Sequence, residues 1–108
     1  MLPKNRKPTI PGEILLEEFL MPLEISQTDF VEHLGKSWTQ PKLNAIIRGK
    51  RSITVPIALD FADALGTTPE FWINLQNNVN LWEEIRKRKK VRMLPKLQRK
   101  RKKSLKRS

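Results

Sequence analysis

The stretch from Ser26 to Arg51 constrains the fold most, because it contains two short helix patterns joined by a tight connection. Ser26 can cap the first helix by accepting a hydrogen bond from its first turn, and Gly35 supplies the left-handed residue that ends it. The second helix is expected to begin near Thr39 and to end at Gly49. Its buried face carries three apolar residues at helical spacing: Leu43, Ile46 and Ile47. Two short amphipathic helices joined in this way predict a helix-turn-helix.

Cap signals and apolar periodicity predict three further helices, so the expected fold class is all-α, with five helices and a basic C-terminal tail. The helices are expected near residues 11–21, 26–34, 39–48, 54–65 and 68–80. No alternating apolar run or hairpin dipeptide favours a strand. The predicted organisation is a flexible N-terminal arm at 1–10, a helix-turn-helix domain at 11–85 and a basic tail at 86–108.

The positive charge is concentrated at the C-terminal end. The chain has a net charge of +11, and residues 86–108 hold fourteen Lys and Arg residues and no acid. Residues 1–85 carry a net charge of −3. Like-charge repulsion disfavours compact structure in the tail, and Pro95 is expected to break any continuing helix. The tail is predicted to add general nucleic-acid affinity, and an extension without a role is the alternative.

Composition excludes several classes of protein. The chain has 108 residues and no cysteine, which indicates one domain without disulfides or a thiolate metal site. No apolar run approaches the ~20 residues that a membrane helix needs. The absence of a signal-peptide pattern favours a cytoplasmic location. We expect no enzymatic activity, cofactor or metal, because there is no nucleophile elbow, phosphate loop or metal-ligand pattern.

The polar side of the helix at 39–48 is the predicted DNA-reading surface. Between Gly35 and Leu59 there are five basic residues and no acid. Glutamine can donate and accept at adenine, lysine can donate to guanine, and an alanine methyl can touch a thymine methyl. An ordinary solvated helix face is the alternative. The residues on this face are Gln40, Lys42 and Ala45.

Three basic residues follow this helix where a DNA-backbone contact would lie: Arg48, Lys50 and Arg51. We call them the basic clamp. Their sequence position favours phosphate binding. Surface solubility is the alternative interpretation.

An apolar seam runs through the last predicted helix, at alternating spacings of three and four residues. Its members are Trp72, Leu75, Val79 and Trp82. Tryptophan is enriched in interface hot spots, so part of the seam is expected to form a homodimer interface and the rest an intradomain core. Elsewhere, Trp38 is expected to pack rather than to stack on DNA. His33 is expected to be partly buried and without a site role.

Three segments occur in order over about residues 10–82: PGEILLEEFLMPLEISQ, LNAIIRGKRSIT and ALDFADALGTTPEFWINLQNNVNL. Together they resemble the HigA-type antitoxins, also called virulence-associated protein I-like proteins, of the lambda-repressor-like helix-turn-helix group. The resemblance implies a homodimeric repressor that binds a palindromic double-stranded DNA operator, represses its own operon and neutralises a small RelE-like mRNA-cleaving toxin. The basic tail is not a usual feature of this family.

The resemblance also implies roles for individual residues. Thr39, Gln40, Lys42 and Ala45 match the group's base-facing positions. Gln27 matches a position that often holds a phosphate, which suits a side-chain amide at a helix N-terminus. A plain polar first-turn residue is the alternative for Gln27.

Two other functions compete with the antitoxin. One is a helix-turn-helix transcriptional regulator without a toxin partner. The other is a non-specific RNA- or nucleoid-binding protein that depends on the tail.

Overall fold

The computed structural model describes residues 6–99, which form five helices and a short helical segment at 95–99, with no strand among them. The all-α fold and the five expected helices are therefore confirmed. Helix α1 begins at Pro11–Ile14 and continues with π-helical hydrogen bonding through Leu15–Leu20. The remaining helices are α2 at Gln27–Leu34, α3 at Gln40–Ile47, α4 at Val55–Leu65 and α5 at Pro69–Lys87.

Side-chain caps fix the starts of three helices as the sequence predicts. The Ser26 hydroxyl accepts a hydrogen bond from the Asp29 amide at 3.0 Å, and the Thr39 hydroxyl accepts one from the Lys42 amide at 3.2 Å. Thr68 caps α5 in the same way. Each cap satisfies an N–H group that has no partner within its helix, typically stabilising the helix by about 1 kcal/mol.

An aromatic cluster around Phe61 of α4 joins the helix-turn-helix to the rest of the domain. Its ring centroid lies 5.8 Å from that of Phe30 in α2, 5.4 Å from that of Trp38 and 5.2 Å from that of Trp72 in α5. Phe61 and Trp72 are both fully buried. Large buried rings contribute strongly to core stability, so α2, α4 and α5 are held as one unit.

Helix α1 packs directly on the end of α3 at Gly12, which is buried. A Cβ atom at this position would overlap the backbone of Ile46 and Ile47. Only glycine permits this close approach, which fixes the position of α3 from its inner side.

Helix α5 extends past its expected end near residue 80 and reaches Lys87. Arg86 and Lys87 occupy its last turn, where positive charge interacts favourably with the helix dipole. The predicted boundary after residue 85 therefore falls inside a helix.

Pro95 does not end α5, because residues 88–94 are already non-helical and Pro95 is the first residue of the helical segment 95–99. Proline is well tolerated at that first position. Residues 1–5 of the predicted arm and 100–108 of the predicted tail lie outside the described part of the chain. None of the helices in residues 6–99 has the length and apolar character needed to span a bilayer.

Candidate nucleic-acid interface

The polar face of α3 lies opposite the residues that anchor it. Leu43 and Ile46 are almost completely buried, whereas Thr39 and Gln40 are exposed. Lys42 and Ala45 are half-buried. The four predicted base-reading residues are thus brought together at and after the start of one helix. Their side chains carry the donors, acceptors and methyl group that base edges recognise.

Gln40 links the starts of α3 and α2, because its side-chain amide Nε2 donates a hydrogen bond to the Thr28 hydroxyl. Gln27 is the first residue of α2 and precedes Thr28 directly. The predicted phosphate contact at Gln27 therefore lies beside the predicted base contact at Gln40. This arrangement suits a surface in which one helix N-terminus holds the DNA backbone while the next helix enters the groove.

Lys42 is folded back over the turn that precedes α3. Its ammonium group lies 4.1 Å from the centroid of the Trp38 ring, and its Nζ donates to the Ser37 carbonyl oxygen at 3.5 Å. A cation–π contact of this kind is worth about 0.5–2 kcal/mol, depending on how far it is shielded from water. A base contact by Lys42 requires its side chain to leave the ring, at a modest cost in free energy.

Trp38 packs in the core, as expected from its position in a turn. It is buried, stacks on Phe61 and donates from Nε1 to the Asp60 carboxylate at 2.8 Å. The hydrogen bond satisfies the one polar atom of the indole. Trp38 therefore supports the turn before α3 and supplies the ring on which Lys42 lies.

His33 is exposed, and the expectation that it is partly buried is wrong. Helix α2 buries Phe30 and half-buries Val31 and Leu34, which leaves His33 on the outer side. Within the described ranges, no group of three or more His, Cys, Asp or Glu residues could hold a metal ion.

The basic clamp lies on a tightly hydrogen-bonded turn after α3. The backbone amides of Lys50 and Arg51 both donate to the Ala45 carbonyl oxygen, at 2.8 and 3.1 Å. Gly49 adopts a left-handed φ of 77°, which allows the chain to turn there. Arg48, Lys50 and Arg51 are exposed, and none forms an ion pair with another residue of the described part. The clamp thus has a fixed backbone, and it presents three cations that form no ion pair within residues 6–99.

The segment after the clamp is tied to α5 by Gln76, which sequence reasoning missed. Its side-chain oxygen accepts a hydrogen bond from the Ile53 amide at 2.8 Å, and its Nε2 donates to Asn80 at 3.0 Å. Gln76 is only 9% exposed. Its position between Trp72 and Val79 on the inner face of a helix was the available signal, because a buried amide needs partners.

The predicted apolar seam divides into two parts. Trp72 is completely buried and Val79 is 4% exposed within this chain, so both belong to the intradomain core. Leu75 and Trp82 are half-buried at the edge of that core. The indole Nε1 of Trp82 is buried without a hydrogen-bond partner among residues 6–99.

Exposed residues that the sequence did not single out extend this edge. Phe71 is 39% exposed and Ile85 is 60% exposed. Together with Leu75, Asn78 and Trp82, they follow one another at spacings of four, three, four and three residues. Residues with this spacing lie along one side of a helix. We call this surface the α5 stripe: Phe71, Leu75, Asn78, Trp82 and Ile85.

The sequence is similar to those of characterised and uncharacterised bacterial regulators. An uncharacterised HTH-type transcriptional regulator of Haemophilus influenzae is 41% identical over 79 residues, which cover 73% of this chain and 72% of the relative. Antitoxin HigA-1 of Vibrio cholerae is 39% identical over 79 residues, with the same coverage of 73% and 72%. No protein-family model matches the chain.

The fold is similar to that of a solved DNA complex. The Pseudomonas aeruginosa antitoxin HigA, solved with the higBA promoter, superimposes with a TM-score of 0.64 at 36% sequence identity. The match covers 69% of this chain and 79% of that chain. Sequence and fold therefore lead to the same group of proteins.

Proposed function

Because the chain belongs to the HigA-type antitoxin family of helix-turn-helix transcriptional regulators, we propose that it represses its own operon by binding a palindromic operator as a homodimer. In this proposal it also neutralises a small RelE-like mRNA-cleaving toxin. The observation that carries the DNA-binding part is the polar face of α3, which is followed directly by the basic clamp. The segment from Gly35 to Leu59 contains no acidic residue that would repel phosphates.

In the proposed complex, α3 lies in the major groove. Gln40 and Lys42 read base edges, with Thr39 and Ala45 beside them. A good bidentate contact is worth roughly 1–3 kcal/mol of discrimination against the wrong base. The clamp and Gln27 contact phosphates on either side of the groove, which sets the register of α3 without reading sequence.

The α5 stripe is the proposed dimer interface. Its apolar residues at alternating four- and three-residue spacing can pack against the same stripe of a second copy. Pairing would cover the exposed Phe71 and Ile85 side chains and could bring a partner to the indole Nε1 of Trp82. A dimer of this kind reads two half-sites spaced by about one helical turn, ~34 Å, or a multiple.

The toxin partner is supported by the relatives named as antitoxins and not by a surface of this chain. The 41%-identical relative of Haemophilus influenzae is described only as a transcriptional regulator, which favours a regulator without a toxin as the second candidate. Co-expression of the chain with any small reading frame beside its gene distinguishes the two. If the neighbouring product is toxic alone, is neutralised by this chain and co-purifies with it, the antitoxin role is supported. If the neighbouring product is not toxic, the chain acts as a regulator without a toxin partner.

A repressor of this type works in the cytoplasm and needs neither a cofactor nor catalytic activity of its own. The test of the repressor role is DNase footprinting of the full chain on the DNA upstream of its own gene. We expect a protected palindrome whose half-sites are about one helical turn apart. Protection of no site, or of every sequence alike, contradicts a self-repressing, sequence-specific regulator.

A further inference from the structure

The basic tail contributes six cations between Arg88 and Arg99 that the domain does not use. They are Arg88, Lys89, Lys90, Arg92, Lys96 and Arg99, and all are exposed. None of them forms an ion pair with another residue in the range 6–99. Within that range the only ion pair of the basic tail joins Lys87 Nζ to Glu84 Oε1, at 3.5 Å. Exposed lysine and arginine side chains of this kind can neutralise the phosphates of a nucleic acid.

The direction in which the tail leaves the domain is set by α5. Near the start of α5, Trp72 packs on the aromatic cluster, and one turn later Gln76 is bonded to the segment that follows the clamp. Gln76 bonds Ile53, and one cleft is lined by both Arg51 and Glu83. Lys87 lies about 6 Å beyond Glu83 along the helix axis, at 1.5 Å per residue. The tail therefore starts on the side of the molecule where the clamp lies.

We propose that the six cations from Arg88 to Arg99 bind DNA backbone phosphates next to those that the clamp contacts. This inference rests on the proposed DNA-binding function of α3 and the clamp. The residues before the tail have a net charge of −3, so the clamp would otherwise be the main source of attraction to the DNA backbone. Tail cations add affinity by releasing counterions from the duplex, and they do so without choosing a sequence.

A membrane surface is the main competing partner, because the tail also exposes Val91, Met93 and Leu94. Binding in the membrane interface uses a helix with a continuous apolar face. Residues 88–94 are not helical, and the segment that begins at Pro95 is only five residues long in the described range 95–99. Phosphate contacts need only accessible charge, so the observed conformation favours DNA.

The experiment compares three full-length proteins. The first is the natural chain, and the second replaces the six cations by glutamine. The third exchanges lysine and arginine at the same positions and is the matched control, because it keeps the charge. A duplex selected from a random pool by the natural chain and a random duplex of equal length are titrated over a range of salt concentrations. Circular dichroism verifies that the three proteins melt alike.

We expect the glutamine variant to bind both duplexes more weakly by similar factors. Each phosphate contact contributes ~0.9 to the log–log salt slope for B-DNA, so loss of two to six contacts flattens the slope by about 2 to 5. The control variant should keep the natural slope. The ratio of affinities for selected and random duplexes should change little, because the tail does not read bases.

Equal slopes for the natural chain and the glutamine variant would overturn the proposal. It would also fail if the six substitutions abolished binding to phosphatidylserine vesicles or single-stranded RNA and left duplex affinity unchanged. A natural chain that does not prefer the selected duplex would contradict the proposed function of α3. In that case the slope on random DNA would still decide whether the tail binds the backbone.

Discussion

Helices α3 and α5 present opposite kinds of surface. The outer face of α3 is polar and is followed by three exposed cations, whereas the outer edge of α5 carries exposed Phe71 and Ile85. Both helices are anchored by buried apolar residues on their inner sides. In the proposed function, DNA reading and self-association are carried by different helices, so single substitutions should separate the two properties.

The largest expected effect is a loss of folding stability on substitution of Trp72, which lies in the core that supports both helices. Trp72→Ala removes a completely buried ring that contacts Phe19, Phe61 and Phe71. Large-to-small changes of this kind cost about 3–5 kcal/mol, so the free energy of unfolding should fall by that amount. Chemical denaturation measures it. Trp82→Ala is the control, and a loss as large as that of Trp72→Ala would contradict the division of the seam.

Self-association should be lost with less damage to the fold when the α5 stripe is changed. Ile85→Asp places a charge at a 60%-exposed position, which should hardly affect the monomer but should oppose pairing of apolar stripes. We expect the dissociation constant of the dimer to rise at least about tenfold, which is ~1.4 kcal/mol.

Analytical ultracentrifugation measures that change. Asn77→Asp is the matched control, because Asn77 is exposed and is not three or four residues from any member of the stripe. If Asn77→Asp dissociates the dimer and Ile85→Asp does not, the pairing surface is on another face of α5.

The clamp should show the smallest and least selective effect. Arg48→Ala and Arg51→Ala each remove a cation that can hold a phosphate, so each should weaken selected and random duplexes alike and flatten the salt slope by about 1. Fluorescence anisotropy at several salt concentrations gives both quantities. Arg48→Lys and Arg51→Lys are the matched controls, because they keep the positive charge at the same positions, and they should largely keep the salt slope. A change in sequence preference for Arg51→Ala would indicate a base contact instead.

Local signals predicted the helix starts well, because a cap lies next to the turn that it satisfies. Ser26, Thr39 and Thr68 are examples. Contacts between residues that are far apart in the sequence could not be predicted from such local signals. The need for glycine at position 12 comes from the backbone of α3, and the partner of Gln76 is an amide 23 residues earlier in the chain.

The extent of α5 and the composition of its stripe were missed for a different reason. Arg86 is the first residue of the predicted basic tail. In the structure its guanidinium carbon lies 4.6 Å from the centroid of the Trp82 ring, and the residue belongs to the last turn of α5. Charge alone did not distinguish a solvated tail from a helix end. The seam was found by its spacing, but spacing could not tell which of two adjacent helix sides faces the core.

The polar face of α3 is the proposed reader of the DNA sequence. Its most direct test is the ratio of affinities for selected and random duplexes, measured for the natural chain and for the double variant Gln40→Ala, Lys42→Ala. Each lost base contact should remove roughly 1–3 kcal/mol of discrimination, so the ratio should fall sharply while the dimer persists. The melting temperature should fall only slightly, through loss of the Gln40–Thr28 hydrogen bond and the Lys42–Trp38 contact. A ratio equal to that of the natural chain would show that another surface reads the operator.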